Sequence, residues 1–207
     1  ATFGRVVSDS RSIVAGDLFV ALRGERYDAH DFVADVAGRG AAGALVNRLV
    51  SVHIAQVVVP EVLGGLTDFA RAWRRDFAGT IVGITGSNGK TTVKEMTGAI
   101  LAQRGACLVT QGNLNNHIGV PLTLARLAPP HGHGVIEVGA NYPGEDAHSA
   151  AMAAPVVSLV DNGGPAHLEG FGGIEGVARA KGELFEALGG GGTAVINADD
   201  RYAALWF

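Results

Sequence analysis

The chain has 207 residues, of which 47% are hydrophobic and 17% charged, and its formal net charge is -4. This length accommodates one substantial domain or two small ones, each with its own core. Because the charge balance is slightly acidic and no lysine- or arginine-rich run occurs, nucleic acid and anionic membranes are poor candidates for the main partner.

The single cysteine, Cys107, cannot form an internal disulfide, and it lies in an apolar, strand-like segment. We expect a buried, unreactive thiol and a reducing, cytoplasmic environment. No apolar stretch reaches transmembrane length, which predicts a protein without membrane insertion. The chain opens without methionine and stops within a helical pattern at Leu205–Phe207, which predicts a fragment.

The first part of the chain alternates short strands with helices. Predicted strands occupy residues 17–22, 44–46 and 56–59, and predicted helices occupy residues 30–40 and 61–77. The second helix follows Pro60, and its aromatic residues, Trp73 among them, are expected in the core.

From Thr80 onwards the alternation is more regular. Predicted strands occupy residues 81–85, 107–110, 134–139, 156–160 and 193–198. Predicted helices occupy residues 90–103, 121–127, 146–153 and 174–188. Strands separated by helices of this length indicate βαβ units and a mostly parallel sheet. We place a boundary near Gly79, which gives domains at 1–78 and 79–207.

The strongest local signal is the loop GITGSNGKTT at residues 83–92, which lies between an apolar strand and a helix. Gly86 and Gly89 allow backbone N–H groups to approach phosphate oxygens, and the helix N-terminus adds partial positive charge. Lys90 can reach the outer phosphates of a nucleotide, and the Thr91 hydroxyl can bind Mg²⁺. The pattern therefore predicts an ATP and magnesium site.

This loop departs from the general phosphate-loop pattern, which would place its first glycine at the position of Ile84. The form here is the shorter G-x-x-G-K-T. The alternative is an ordinary strand–turn–helix corner that happens to carry a lysine. We favour the phosphate loop because strand, glycines, Lys-Thr and helix coincide. The residues predicted to bind the nucleotide are Gly86, Ser87, Asn88, Gly89, Lys90, Thr91 and Thr92.

The loop and the segments after it resemble the Mur ligase family. The later segments are GNLNNHIGVPLTL at 112–124, VIEVGANYPGE at 135–145, AHLEGFG at 166–172 and VARAKGELF at 177–185. SDSR at 8–11, GDLFVAL at 16–22 and GERYDAHDF at 24–32 extend the resemblance to almost the whole chain. The asparagine-rich stretch followed by IGVP is most similar to the branch of the family that adds D-alanyl-D-alanine.

The resemblance implies an α/β architecture in two parts. A small amino-terminal α/β domain would bind the UDP-sugar, and an incomplete P-loop ATPase domain with a mostly parallel sheet would follow. The third, Rossmann-like domain of the family would be absent, so we expect this chain alone to be inactive as a catalyst.

The resemblance also implies a reaction in peptidoglycan precursor synthesis. The complete enzyme would use ATP to phosphorylate the terminal carboxylate of UDP-MurNAc-tripeptide, and D-alanyl-D-alanine would attack the acyl phosphate. The alternatives are a relative that adds a different amino acid and a non-catalytic module that binds nucleotide or UDP-sugar. No sequence feature predicts an obligatory protein partner.

Three residues are candidates for holding metal together with Thr91. Glu137 follows a strand, where it could bind Mg²⁺ or remain a solvated strand-end glutamate, and the resemblance implies the metal ligand. His167 would by itself be an ordinary loop histidine, but the resemblance implies a ligand of a second Mg²⁺. Lys181 would by itself be a helix-surface lysine, but the resemblance implies a carbamylated, carboxylate-like group that holds the same metal. Lys90, Lys181 and His167 are accordingly the predicted catalytic residues.

Two polar clusters are candidates for substrate binding. Asn113, Asn115 and Asn116 could contact the nucleotide-sugar and its peptide stem, or could form a turn that caps the helix after them. In the first domain the candidates for the uridine-diphosphate portion are Ser10, Arg11 and His30. The histidines in HGH at 131–133 are expected in a solvated loop.

Overall fold

The protein is described from a computed structural model, in which residues 2–166 and 168–207 are described. It divides into two compact units, of which the first ends at Ala72 and the second begins at Trp73. This division falls inside the helix Val62–Arg75, a few residues before the predicted boundary near Gly79, which stays a prediction.

The first unit is built on four parallel strands in the order β1-β2-β3-β4. The strands are β1 (Val6–Val7), β2 (Leu18–Val20), β3 (Gly43–Val46) and β4 (Ala55–Val58). The helices are α1 (Val33–Gly38) and α2 (Val62–Arg75), with 3₁₀ turns at Ser10–Ser12 and Ala29–Phe32. Its core joins β2 and β3 to α1 through fully buried residues such as Phe19, Val33, Val36 and Ala44.

The second unit is built on five parallel strands in the order β6-β7-β5-β8-β9. The strands are β5 (Thr80–Thr85), β6 (Ala106–Val109), β7 (His131–Glu137), β8 (Val157–Val160) and β9 (Thr193–Ile196). The helices are α3 (Lys90–Leu101), α4 (Gly119–Leu124), α5 (Glu145–Ala153), α6 (Leu168–Phe171), α7 (Ile174–Glu186) and α8 (Ala203–Trp206).

Strand β5 lies at the centre of this sheet, between β7 and β8, and its residues 81–85 are buried. The chain leaves β5 towards β6 on one side and later crosses to β8 on the other. In open parallel sheets such a reversal leaves a crevice at the carboxyl ends of the strands, where ligands bind. The loops after β5, β7 and β8 therefore meet at one place.

The predicted α/β class with parallel sheets is confirmed, and most predicted elements lie within a few residues of the observed ones. Strand β1 and helix α6 were not predicted, since two and four residues carry too little periodicity. No helix in the described ranges is long and apolar enough to cross a membrane.

Two local predictions were wrong. The HGH segment belongs to β7, because the strand begins at His131 and pairs there with Ala106 of β6. Trp73 is 43% exposed, and its indole N–H donates to the Leu127 carbonyl at 2.8 Å. An indole with a polar group is suited to such a half-exposed position.

Candidate nucleotide and magnesium site

The phosphate loop connects β5 to α3 and contains two glycines with positive φ. Gly89 caps α3 at φ 78°, in the left-handed region that favours glycine, and a Cβ there would lie 2.6 Å from Asp161 Oδ2. A Cβ at Gly86 would lie 3.1 Å from the Asp161 Cβ. The loop therefore packs closely against Asp161, just after β8, and a Cβ at either position would require Asp161 to shift.

The segment after β8 holds the phosphate loop in place. Ser87 donates its N–H to the Asn162 carbonyl at 3.0 Å and its hydroxyl to the Gly164 carbonyl at 2.8 Å. The Asn162 side chain accepts from the Asn88 N–H and donates to the Asn88 carbonyl, both at 3.0 Å. Sequence reasoning missed Asn162, although its position just after a strand next to β5 was a usable signal.

Lys90, the first residue of α3, extends back over the loop. Its ammonium group donates to the Gly86 carbonyl at 2.7 Å. Burial lowers the pKa of Lys90 below its ordinary value, and the nearby charge of Lys181 lowers it further. A cation held over a loop of glycine N–H groups is suited to phosphate oxygens. Thr92, the last residue predicted for nucleotide binding, is exposed on α3.

Thr91 and Glu137 come together below the loop. Glu137 ends β7, pairs in register with Ile84 of β5 and is 1% exposed. Its Oε2 accepts from the Thr91 hydroxyl at 3.2 Å, and its Oε1 accepts from the Asn115 amide at 2.8 Å. The buried ammonium of Lys94 lies 3.6 Å from the same Oε2.

The donor set at Thr91 and Glu137 fits Mg²⁺, which binds through one or two carboxylates and takes its other oxygens from phosphates and water. In residues 2–166 and 168–207, no group of three or more histidine, cysteine, aspartate or glutamate side chains could hold a metal. A metal at this place would therefore depend on a phosphate ligand. His167 lies outside the described residues.

Lys181 lies on α7, buried at 3% exposure, and is not the surface lysine that composition alone would indicate. Its ammonium donates to Asp146 Oδ2 at 3.0 Å, and the Thr85 hydroxyl donates to the same oxygen at 3.1 Å. Asp146 Oδ1 is buried without a hydrogen-bond partner in the described part of the chain. Burial raises the pKa of Asp146, and Lys181 opposes that shift.

A cavity of about 190 Å³ joins the phosphate loop to Lys181. Its walls include Lys90, Lys181 and the three predicted asparagines, Asn113, Asn115 and Asn116. Asn116 also accepts from the N–H groups of Ile118 and Gly119, so it caps the start of α4. The two interpretations of this cluster are compatible, since Asn115 faces Glu137 while Asn116 caps the helix.

In the first unit, Ser10 and Arg11 begin a 3₁₀ turn after β1, in which Arg11 is exposed and Ser10 is half-buried. The Arg11 guanidinium pairs with Asp9, and this contact lowers the pKa of Asp9 to about 2. Arg39 donates to the Ser10 and Arg11 carbonyls at 2.6 and 3.1 Å and so fixes the turn. Sequence reasoning missed Arg39, and no spacing marks it.

His30 is 3% exposed, and both of its ring nitrogens have partners. Nδ1 lies 2.6 Å from Asp28 Oδ1, and Nε2 accepts from the Asn47 N–H at 3.1 Å. The ring therefore connects the loops that follow β2 and β3.

The family described as Mur ligase middle domain matches residues 84–207, more than half of the chain and all of the site around Glu137. The chain belongs to the Mur ligase family. Across both units this Mur ligase chain is 48% identical, over 206 residues, to UDP-N-acetylmuramoyl-tripeptide–D-alanyl-D-alanine ligase of Escherichia coli. The match covers 99% of this chain and 45% of that protein.

Solved structures agree with this Mur ligase assignment. A crystal structure of MurF from Acinetobacter baumannii superposes with a TM-score of 0.92 at 40% identity and covers 99% of this chain and 45% of that chain. MurF ligase from Thermotoga maritima, solved in complex with ADP, superposes with a TM-score of 0.85 at 34% identity and covers 96% of this chain and 46% of that chain. The chain thus spans about half the length of the relatives it matches.

Proposed function

We propose that this chain supplies the UDP-sugar and nucleotide sites of an ATP-dependent ligase that adds D-alanyl-D-alanine to UDP-MurNAc-tripeptide. The observation that carries the proposal is the Thr91–Glu137 pair, 3.2 Å apart, at the base of a glycine-rich loop that bears Lys90. The names of the matched relatives, and the ADP in one of them, support this substrate and nucleotide. On this proposal the protein would act in peptidoglycan precursor synthesis, in the cytoplasm, where ATP is available.

The nucleotide phosphates would lie on the loop, with the N–H groups of residues 86–91 and the Lys90 ammonium around them. Thr91 and Glu137 would hold Mg²⁺, which neutralises phosphate charge when bound. Lys90 would stabilise the charge of the transferring phosphoryl group. In such reactions most of the catalysis is positioning and charge neutralisation.

The cavity next to the loop would hold the terminal carboxylate of the tripeptide. Phosphorylation of this carboxylate gives an acyl phosphate, and the amine of D-alanyl-D-alanine then displaces phosphate to form the amide bond. Asn113 and Asn115 would orient the substrate through amide hydrogen bonds. Lys181, buried in the same cavity wall, would carry the carbamate and, with His167, hold a second Mg²⁺.

The uridine-diphosphate portion would bind at the carboxyl edge of the first sheet. Arg11 is exposed and offers a planar donor group for phosphate oxygens. Ser10 and Arg11 follow β1, and His30 would support the site by holding the neighbouring loops together.

Calorimetric titration of this chain with UDP-MurNAc-tripeptide, beside a titration with Mg-ADP, tests the proposal. We expect both ligands to bind, and the two sites to saturate independently of the order of addition. Binding of the nucleotide alone would contradict the UDP-sugar assignment, and binding of neither by the folded chain would overturn the proposed function.

The carbamate has a separate test. Incubation with isotope-labelled bicarbonate should give a carbamate carbon signal in the NMR spectrum of the chain, and Lys181→Ala should remove it. Lys94→Ala, at another buried lysine of the second unit, serves as the control and should retain the signal. A spectrum without the signal would contradict carbamylation of Lys181 but not nucleotide binding.

A further inference from the structure

Lys94 has no role in the proposed nucleotide site. It lies on α3, four residues after Lys90, and its side chain is 0% exposed. Residues four apart share one face of a helix, so Lys94 points along the same side as Lys90 but deeper into the unit. A buried ammonium is costly unless partners surround it, which makes its contacts informative.

The Lys94 ammonium connects three segments of the second unit. It donates to the carbonyls of Thr110 and Gly112, at 2.8 and 3.2 Å, where the asparagine-rich loop leaves β6. It also lies 3.6 Å from Glu137 Oε2. Among the described residues, no other cationic side chain lies within ion-pair distance of that carboxylate. A further contact at 3.1 Å joins it to the carboxylate of Glu95, which is largely exposed.

These contacts form one network around Glu137. Thr110, whose carbonyl Lys94 holds, accepts the Glu137 N–H on its hydroxyl at 2.9 Å. Asn115, three residues after Gly112, donates to Glu137 Oε1 at 2.8 Å. Thr91 donates to Oε2 from the same helix that carries Lys94. The carboxylate is therefore held by Thr91 and Asn115, while Thr110 holds the backbone of the same residue. Lys94 shares a helix with Thr91 and contacts the segment that carries Thr110 and leads to Asn115.

We propose that Lys94 is a positioning residue for the magnesium site, which fixes Glu137 against Thr91 and anchors the start of the asparagine-rich loop. The proposal rests on the proposed nucleotide function, and it assigns Lys94 no direct contact with metal or phosphate. Residues that orient a metal ligand are worth about 10- to 100-fold in metal affinity.

The direction in which Mg²⁺ affinity changes on removal of Lys94 distinguishes a positioning role from a purely electrostatic one. A cation near a metal site repels the metal, so removing it should tighten Mg²⁺ binding if charge alone mattered. If Lys94 instead holds the carboxylate in place, removing it should weaken Mg²⁺ binding even though a repulsive charge has gone.

The test uses the 207-residue chain and ADP as the probe. ADP affinity is measured by calorimetric titration in chelator and then at increasing Mg²⁺ concentration. In Lys94→Met we expect the Mg²⁺ concentration that gives half of the tightening to rise by about 10- to 100-fold. Affinity for ADP in chelator should stay as in the unmodified chain, because Gly86, Gly89 and Lys90 are intact.

Two further variants guard against a purely structural effect. Ile81→Ala creates a cavity at the far end of β5, where Ile81 is fully buried, and should lower stability while retaining the Mg²⁺ response. Lys94→Gln keeps an amide donor for the Thr110 carbonyl but has no charge opposite Glu137. It should also raise the Mg²⁺ concentration that gives half of the tightening, which covers the case in which the methionine variant does not fold.

The outcomes are distinguishable. An unchanged or tighter Mg²⁺ response in the Lys94 variants overturns the positioning role while leaving the proposed function intact. An unmodified chain whose ADP affinity does not respond to Mg²⁺ overturns the proposed magnesium site itself, and the role of Lys94 with it.

Discussion

Lys90 combines partial burial with a position over a loop of backbone N–H groups. In the proposed function Lys90 gives a charge-assisted hydrogen bond to phosphate, so we expect Lys90→Met to weaken Mg-ADP binding by about 10- to 100-fold. Titration calorimetry of both forms measures the change. Equal affinities would show that the ammonium does not contact the phosphates.

The protonation of Lys90 adds a pH dependence. Because burial lowers its pKa in the folded chain, the positive charge is lost at lower pH than the ordinary value of 10.5. Nucleotide affinity should therefore fall as pH rises, beginning below 10.5. Lys90→Arg stays charged in this range and should show a flat profile, whatever its absolute affinity.

Gly89 and Gly144 form a matched pair for testing the loop. Both cap the start of a helix in the left-handed region, at φ 78° and 86°, but only Gly89 has a neighbour within 4 Å of a built Cβ. Alanine at either position should cost about 1–2 kcal/mol of unfolding free energy, measured by urea unfolding. Gly89→Ala should also displace Asp161 and weaken ADP binding, whereas Gly144→Ala should not. Equal ADP affinity in the two variants would contradict the close packing of the loop.

At the scale of elements, residue type predicted the phosphate loop because all its parts lie within ten consecutive positions. Strand, glycines, lysine and helix N-terminus are local features, and α3 begins at Lys90 as expected. The edges of other elements were less predictable. His131 and His133 lie in β7 because β6 offers them a pairing partner, which no local pattern reveals.

The β1–β2 connection depends on a buried carboxylate. Asp17 accepts from the Arg5 guanidinium at 2.6 and 3.0 Å and from the Val14 N–H at 3.0 Å. The hydrogen bond from Arg5 is the main cause of the lowered pKa of Asp17. We expect Asp17→Asn to lower the unfolding free energy of the first unit by about 1–3 kcal/mol at neutral pH, measured by urea unfolding.

The same carboxylate gives an acid dependence with a defined sign. A carboxyl group with a lowered folded pKa stabilises the fold above its ordinary pKa of 3.8, and this contribution disappears as pH falls through the folded value. The difference in unfolding free energy between Asp17→Asn and the unmodified chain should therefore become smaller below pH 3.8. If the difference in unfolding free energy stayed constant down to acid pH, the ion pair between Arg5 and Asp17 would not be the cause of the stabilisation.

At the scale of the whole molecule, the division into two compact units predicts two calorimetric transitions. A ligand stabilises the unit that binds it, by about 2.7 kcal/mol of unfolding free energy when its concentration is 100 times Kd. The transition temperature of that unit rises as a result. Mg-ADP should raise the transition temperature of one unit, and UDP-MurNAc-tripeptide that of the other. Lys90→Met should remove only the shift caused by Mg-ADP. If either ligand raised both transitions together, the units would not bind separately.

The sequence by itself determined the α/β class, the glycine-rich loop between β5 and α3, and the family, because these depend on periodicity and on residues adjacent in the chain. Only the tertiary structure placed Glu137 beside Thr91, 46 positions away, and showed that Lys94 and Lys181 are buried. In sequence a helix lysine is the same whether it faces solvent or a carboxylate. Its role depends on which distant segment packs over it, since the cost of a buried charge is offset only by partners that folding brings to it.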